Sequence, residues 1–265
     1  MTEAKRRLLP ALSNATTAFT LLLLFALLCQ PAPAGTGSAT KSAKLPGWEL
    51  HQIQALHNKV VLFITKDAIK MQSRSHAWAI ICKAPLWNAI CYDTSNKTIC
   101  SVPYSWWKTH GFATSDWSFD LNPAPSNPQM SQDTICGHRV EVAEWTGAAP
   151  KINIMSQAQI GAERCSYALA VSSEINAPLP IVQCLGYFYD IPNLKRIPIQ
   201  YCNAEGRGTH YWLNTVMCNE TTIDPSIFNE PLDYKRVKTD NEIWVNSGDK
   251  TDINDMGQMM APLSR

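Results

Sequence analysis

Residues 59–102 read KVVLFITKDAIKMQSRSHAWAIICKAPLWNAICYDTSNKTICSV, and their grouping decides the fold class. Val60 to Thr65 is a dense β-branched and apolar run, and Asp67 to Met71 is its expected hairpin partner. His76 to Lys83 and Trp87 to Tyr92 follow, parted by Ala84-Pro85-Leu86, and Thr98 to Val102 makes the next strand. Each run is short and follows closely on the last, leaving no room for the crossover that a parallel pair needs. The spacing is that of an antiparallel meander and not of βαβ units.

Upstream, Trp48 to Leu56 has apolar residues at 48, 50, 53 and 56, which suits either a short helix or an irregular first strand. Downstream, residues 114–135 break the rhythm with Pro123, Pro125 and Pro128. A loop of that length is either a functional lid or a disordered insertion. The β pattern resumes at Thr134 to Trp145, which alternates around Val140 and Val142, and again at Cys165 to Ser172. Pro178 to Tyr189 predicts a short helix with proline in its first turn. Ile197 to Cys202 and Thr209 to Cys218 then flank a Gly-containing turn as a hairpin. Glu242 to Val245 is expected to add an edge strand. The expected organisation is a flexible leader over 35–47, a single β-rich domain over 48–246 and a polar tail over 247–265.

The first 34 residues read as a cleaved secretory signal. Lys5, Arg6 and Arg7 precede the apolar core Thr20 to Cys29, and Ala32-Pro33-Ala34 offers small residues for cleavage after Ala34. A membrane anchor needs about 20 apolar residues, whereas the unbroken run Ala18 to Cys29 has 12 and ends at Gln30-Pro31. A lipid anchor on Cys29 is the other reading, although Leu28 stands where such a signal prefers a small side chain. Export to the periplasm or the extracellular space is expected, with no transmembrane span left after cleavage. Losing the leader removes three of 23 basic and one of 22 acidic residues, which leaves a net charge near −1. That balance argues against a sequence-independent nucleic-acid binder, which needs a basic surface.

Eight cysteines remain after cleavage: Cys82, Cys91, Cys100, Cys136, Cys165, Cys184, Cys202 and Cys218. An even set in an exported chain predicts disulfide bracing, with 105 possible connectivities for four bridges. One pair has a local argument: a turn centred on Asp93 to Lys97 sets Cys91 opposite Cys100. Zinc is the weaker alternative, since no C-x-x-C occurs and Cys136-Gly-His138 lacks ligand spacing.

Motifs for catalysis are absent. The chain has no G-x-S-x-G, P-loop, H-E-x-x-H or dinucleotide-binding glycine pattern. No two of its six histidines stand at helical i, i+4 spacing, and a strand would put Glu141 and Glu144 on opposite faces. No cofactor, metal or catalytic residue is expected. Aromatic residues say more. Strand tryptophans are expected in the core, but Trp106, Trp107, Phe112, Trp117 and Phe119 are crowded on one small segment. Lining the open mouth of a curved sheet, those five would make a hydrophobic ligand site.

The order of segments resembles that of the lipoprotein-carrier family of LolA and related exported proteins. The likeness covers about residues 55–240. It rests on the helix Pro178 to Tyr189 before Ile197-Pro198-Ile199, on Thr222 to Phe228, and on Phe228, Pro231, Tyr234 and Val237 in an F-x-x-P-x-x-Y-x-x-V segment. Ile64 to Met71 and Trp78 to Ile90 resemble the early meander of the same families. The resemblance implies a mainly β fold: a curved antiparallel sheet forming an open barrel around short helices. It also implies a lipid, acyl chain or lipoprotein as ligand and no enzymatic activity. A disulfide-stabilised secreted interaction module with no small-molecule ligand is the alternative.

Overall fold

The computed structural model describes residues 43–55, 58–112, 127–148, 164–191, 194–205 and 208–246. All belong to one compact unit, Ser42–Arg265. The leader 1–34, the tail 247–265, Trp117 and Phe119 lie outside the described residues.

Alternation of apolar side chains produces the expected meander: β1 Leu45–Gln54, β2 Asn58–Ile64, β3 Ala68–Ser73, β4 Trp78–Lys83, β5 Ala89–Asp93 and β6 Thr98–Val102. After helix α1, Tyr104–His110, come β7 Gln129–Ile135, β8 His138–Ala148 and β9 Arg164–Ser172. Helix α2, Leu179–Phe188, precedes β10 Pro198–Glu205 and β11 Gly208–Ile223. A 3-10 turn at Pro225–Phe228, β12 Lys235–Arg236 and helix α3, Asn241–Asn246, complete the order. The strands make one sheet in the order β12-β6-β5-β4-β3-β2-β1-β11-β10-β9-β8-β7. The fold is mainly β, and the sheet is not closed, since its two end strands β12 and β7 have one neighbour each.

Both faces of the meander are buried, by different parts of the chain. Leu50, Leu62, Met71, Trp78, Ile80, Cys82, Cys91 and Cys100 point to the face that carries the helices. There α2 sets Phe188 against Trp78, with ring centroids 5.0 Å apart, and α3 sets Trp244 against the same indole at 5.6 Å. Ala68, Ala79, Ile81, Tyr92 and Ile99 point the other way and pack under Ile223 and Phe228. The motif residue Tyr234 stands edge-on to Tyr92, at 5.8 Å. Asp224 starts this covering turn by accepting the Ser226 amide at 2.9 Å.

Four expectations are corrected. The sheet is mixed, because β12 lies parallel to β6: the chain crosses the outer face after β11 and reaches the β6 edge already running that way. Thr134 to Trp145 is a hairpin and not one strand, since Cys136 and Gly137 both take positive φ (52° and 82°), the combination a two-residue primed turn requires. Glu242 to Val245 belongs to α3; the Glu242 carboxylate accepts the Thr239 amide at 3.2 Å, the carboxylate half of a capping box, just ahead of the helix. The strand reading of Trp48 to Leu56 holds over Trp48 to Gln54, with Leu56 outside the described residues, but β1 starts at Leu45, inside the expected leader.

No disulfide joins the eight cysteines of the described residues. Cys91 does face Cys100 in the β5–β6 register, and the Cys82 and Cys184 sulfurs lie 3.4 Å apart.

Candidate functional site: an aromatic ladder on β8, β9 and β10

The five residues singled out on the sequence separate. A helix turns about 100° per residue, so adjacent Trp106 and Trp107 on α1 point to different surroundings. Trp107 is fully buried and its Nε1 donates to the Trp87 carbonyl at 2.9 Å. It stacks on Phe112 at 5.6 Å and meets Tyr104 edge-on at 4.9 Å. Phe112 is also core, brought back by Gly111, whose φ of 73° ends α1. Trp106 alone is 55% exposed, and it lies flat on His110 at 3.8 Å. Trp107 and Phe112 therefore fill the core, and the described part of this segment presents one surface indole and no apolar mouth.

A second aromatic group is better organised. Trp145 stands opposite Tyr167 in the β8–β9 register, and Tyr201 lies diagonal to Tyr167, which pairs with Asn203. The rings are nearly parallel: Trp145 and Tyr167 at 5.5 Å and 12°, Tyr167 and Tyr201 at 6.4 Å and 14°, Trp145 and Tyr201 at 6.3 Å and 13°. Cross-strand aromatic pairs on one sheet face make such ladders. The registers of β10 with β11 and of β11 with β1 put Tyr201, Leu213 and Gln54 on a common face. Burial, reinforced by Tyr167 and Asp190 nearby, pushes the Tyr201 hydroxyl well above the ordinary phenol range, so it stays protonated.

Polar groups around the ladder are mostly matched. Trp212 Nε1 donates to Asn203 Oδ1 at 2.7 Å. Gln52 donates to the Pro198 carbonyl at 2.9 Å and to Thr215 Oγ1 at 3.0 Å, while Tyr189 donates to Gln52 Oε1. The exception is Trp145: it is 8% exposed, and its Nε1 is buried without an acceptor among the described residues. A buried donor left unmade costs about 1–3 kcal/mol. Tyr167 and Tyr201 are 1% and 2% exposed, so the ladder is packed into the same core as Trp107 and Phe112.

The remaining chemistry-bearing cluster has a structural use. β10 pairs with only the first part of β11, and the β7–β8 turn lies against the rest. There the Cys136 thiol donates to the Thr215 carbonyl at 3.2 Å, and His138 Nε2 is 2.9 Å from the Cys218 carbonyl. His138 Nδ1 is 2.8 Å from Glu174 Oε2, so both ring nitrogens face acceptors and neither is turned to a thiol. That arrangement closes a strand edge. Hydrogen bonds from His138 and from the Arg139 amide hold the Glu174 carboxyl below the usual carboxylate range. Among the described residues, no group of three or more His, Cys, Asp or Glu side chains could hold a metal ion. No helix among them is long and apolar enough to cross a membrane.

Sequence reasoning placed Trp145 in a strand core and passed over Tyr167 and Tyr201. Their signal was an aromatic residue inside each of three strands; the pairing that aligns them was not legible.

No protein-family model matches the chain, and no curated protein matches it. Among solved structures, an uncharacterised conserved protein from Thermus thermophilus is similar at 9% identity over 73% of this chain and 90% of that one, with a TM-score of 0.36. A likeness that slight carries no argument about fold or function.

Proposed function

We propose that this is an exported, non-enzymatic binding protein whose unclosed sheet curves as an open barrel around α2 and holds a lipid, an acyl chain or a hydrophobic partner. The observation that carries the reading is the ladder of Trp145, Tyr167 and Tyr201 with an indole N–H that has no acceptor among the described residues. A ligand that displaced the packing over these buried rings would meet stacked apolar area, and a single placed donor would fix the orientation of an amphiphile through its carbonyl or ester oxygen. Two further features support it: α2 lies on one face of the sheet, as the resemblance to the lipoprotein carriers implies, and the leader reads as a secretory signal.

The test is binding of a fatty-acid methyl ester and of the matched hydrocarbon, each to wild type and to Trp145→Phe. Phenylalanine keeps a ring but removes the donor, so ester affinity should fall about 5- to 30-fold, a loss of roughly 1–2 kcal/mol. Hydrocarbon affinity should change little. No binding of either ligand, together with no lipid in an organic extract of the purified protein, would refute the proposal.

A further inference from the structure

Four buried cysteines come together where α2 meets the meander. Cys82 on β4 and Cys91 on β5 project to the helix-bearing face with Cys100 on β6, and Cys184 descends on them from α2. All four are 3% exposed or less. Within the cluster, geometry selects the partners. Cys82 Sγ and Cys184 Sγ are in contact at 3.4 Å. Cys91 is directly opposite Cys100, whereas Cys91 pairs with Ile80 and is therefore diagonal to Cys82. Diagonal neighbours stand about 7–8 Å apart, beyond the reach of a bridge between their sulfurs without backbone movement.

We propose that Cys82–Cys184 and Cys91–Cys100 are two structural disulfides, the first fastening α2 to the sheet and the second stapling β5 to β6. The reading goes beyond ligand binding and stands whether or not a lipid is bound. Each bond forms by exchange with an oxidised disulfide such as glutathione disulfide. One thiolate attacks a glutathione sulfur and releases glutathione; the second thiolate then displaces the other glutathione and closes the bridge. Two electrons pass to glutathione, and the two cysteine protons end on the two thiols released. In the finished fold burial pushes the Cys82 thiol, and the hydrogen bond with Cys100 followed by burial pushes the Cys91 thiol, well above their ordinary range, so exchange belongs to folding, before α2 covers β4.

The experiment is refolding of the full chain in a glutathione redox buffer, blocking of remaining thiols without reduction, and peptide mapping by mass spectrometry. Trypsin separates the relevant cysteines: Cys82 lies on residues 75–83, Cys91 on 84–97, Cys100 on 98–108, and Cys184 on 165–195. Cys165 shares the last peptide, and chymotryptic cleavage after Tyr167 resolves the two. The expected result is 75–83 linked to the Cys184 fragment and 84–97 linked to 98–108. The double variant Cys82→Ala/Cys184→Ala should lose the first link and keep the second. Blocked thiols at Cys82 or Cys91 in the refolded wild type, or links between 75–83 and 84–97, would overturn the proposal.

Discussion

Trp106 and Trp107 are neighbours in sequence with opposite environments, and replacing each by alanine should separate their roles sharply. Trp107 has no exposed surface. Truncating a fully buried tryptophan costs about 3–5 kcal/mol in lost transfer energy and cavity. The Trp87 carbonyl also loses the indole N–H that reaches it at 2.9 Å, adding about 1–2 kcal/mol unless water enters the cavity. Since a domain has about 5–15 kcal/mol in all, Trp107→Ala should forfeit about a quarter or more of the stability. At roughly 2–4 °C per kcal/mol for a chain of this size, the melting temperature should fall by about 8–28 °C. Trp106 is 55% exposed and touches mainly His110, so Trp106→Ala should stay within about 0.5 kcal/mol of wild type. Trp107→Phe should fall between the two, because it keeps the stack on Phe112 and loses only the donor and the larger ring. Urea unfolding followed by far-UV circular dichroism is the suitable assay, since either substitution alters tryptophan fluorescence directly. Equal losses for the two alanine variants would refute the placement of these side chains, as would a loss under about 1 kcal/mol at Trp107.

Gly47→Ala should destabilise by about 1–3 kcal/mol, seen as a lower melting temperature. Its Cβ would lie 2.4 Å from the Ile64 carbonyl oxygen and 2.6 Å from Ile223 Cδ1, and although the isoleucine tip can turn aside, the carbonyl moves only with β2; an unchanged melting temperature would contradict that close approach. The Glu174 carboxyl has its folded pKa below its unfolded value, so its contribution is present above the ordinary carboxylate range and is lost as pH falls through the lowered value. Melting temperatures of wild type and Glu174→Gln should therefore differ at pH 7 and converge in acid, whereas a gap that widens in acid would show the sign to be wrong. Reduction of the oxidised protein should lower the urea midpoint substantially, because a bridge closing 102 residues between Cys82 and Cys184 restricts the unfolded chain by about 4–5 kcal/mol. A midpoint indifferent to reductant would count against that bridge.

The meander was legible because its information is local. Val60 to Ile64 and Trp78 to Cys82 carry β-branched and aromatic runs, and short connections leave antiparallel pairing as the one geometry available. What escaped was either chemistry in unfamiliar residues or contact across the sheet. Cys136-Gly137 makes the same primed turn that Asn-Gly would, but a cysteine at positive φ is not a turn signal, so Thr134 to Trp145 reads as one strand and the rest of β7 falls in the expected loop 114–135. Thr239-x-x-Glu242 is a readable capping box, and it lost to the β-branched look of Ile243-Trp244-Val245. The parallel β12–β6 pair depends on where the chain lies after crossing the outer face, which no local pattern encodes.

The same division explains why the expected binding residues and the observed aromatic ladder differ. Crowding in sequence drew the reading to Trp106, Trp107 and Phe112, yet on a helix crowding disperses side chains around the axis, and two of the three became core. Tyr167 and Tyr201 are 34 residues apart, with α2 between them, and only the antiparallel β9–β10 register brings their rings to 6.4 Å. A sheet face collects its site from distant strands, so register determines the site more than local composition does. In this chain register also distinguishes the cysteines: Cys91 meets Cys100 through the β5–β6 pairing, while Cys184 reaches Cys82 only because α2 packs on β4. Both the ladder and the thiol cluster lie on the face the helices share, so the position of α2 couples them. If Cys82–Cys184 holds that helix in place, reduction should loosen ligand binding as well as stability, and the Cys82→Ala/Cys184→Ala variant should bind the ester equally with and without reductant.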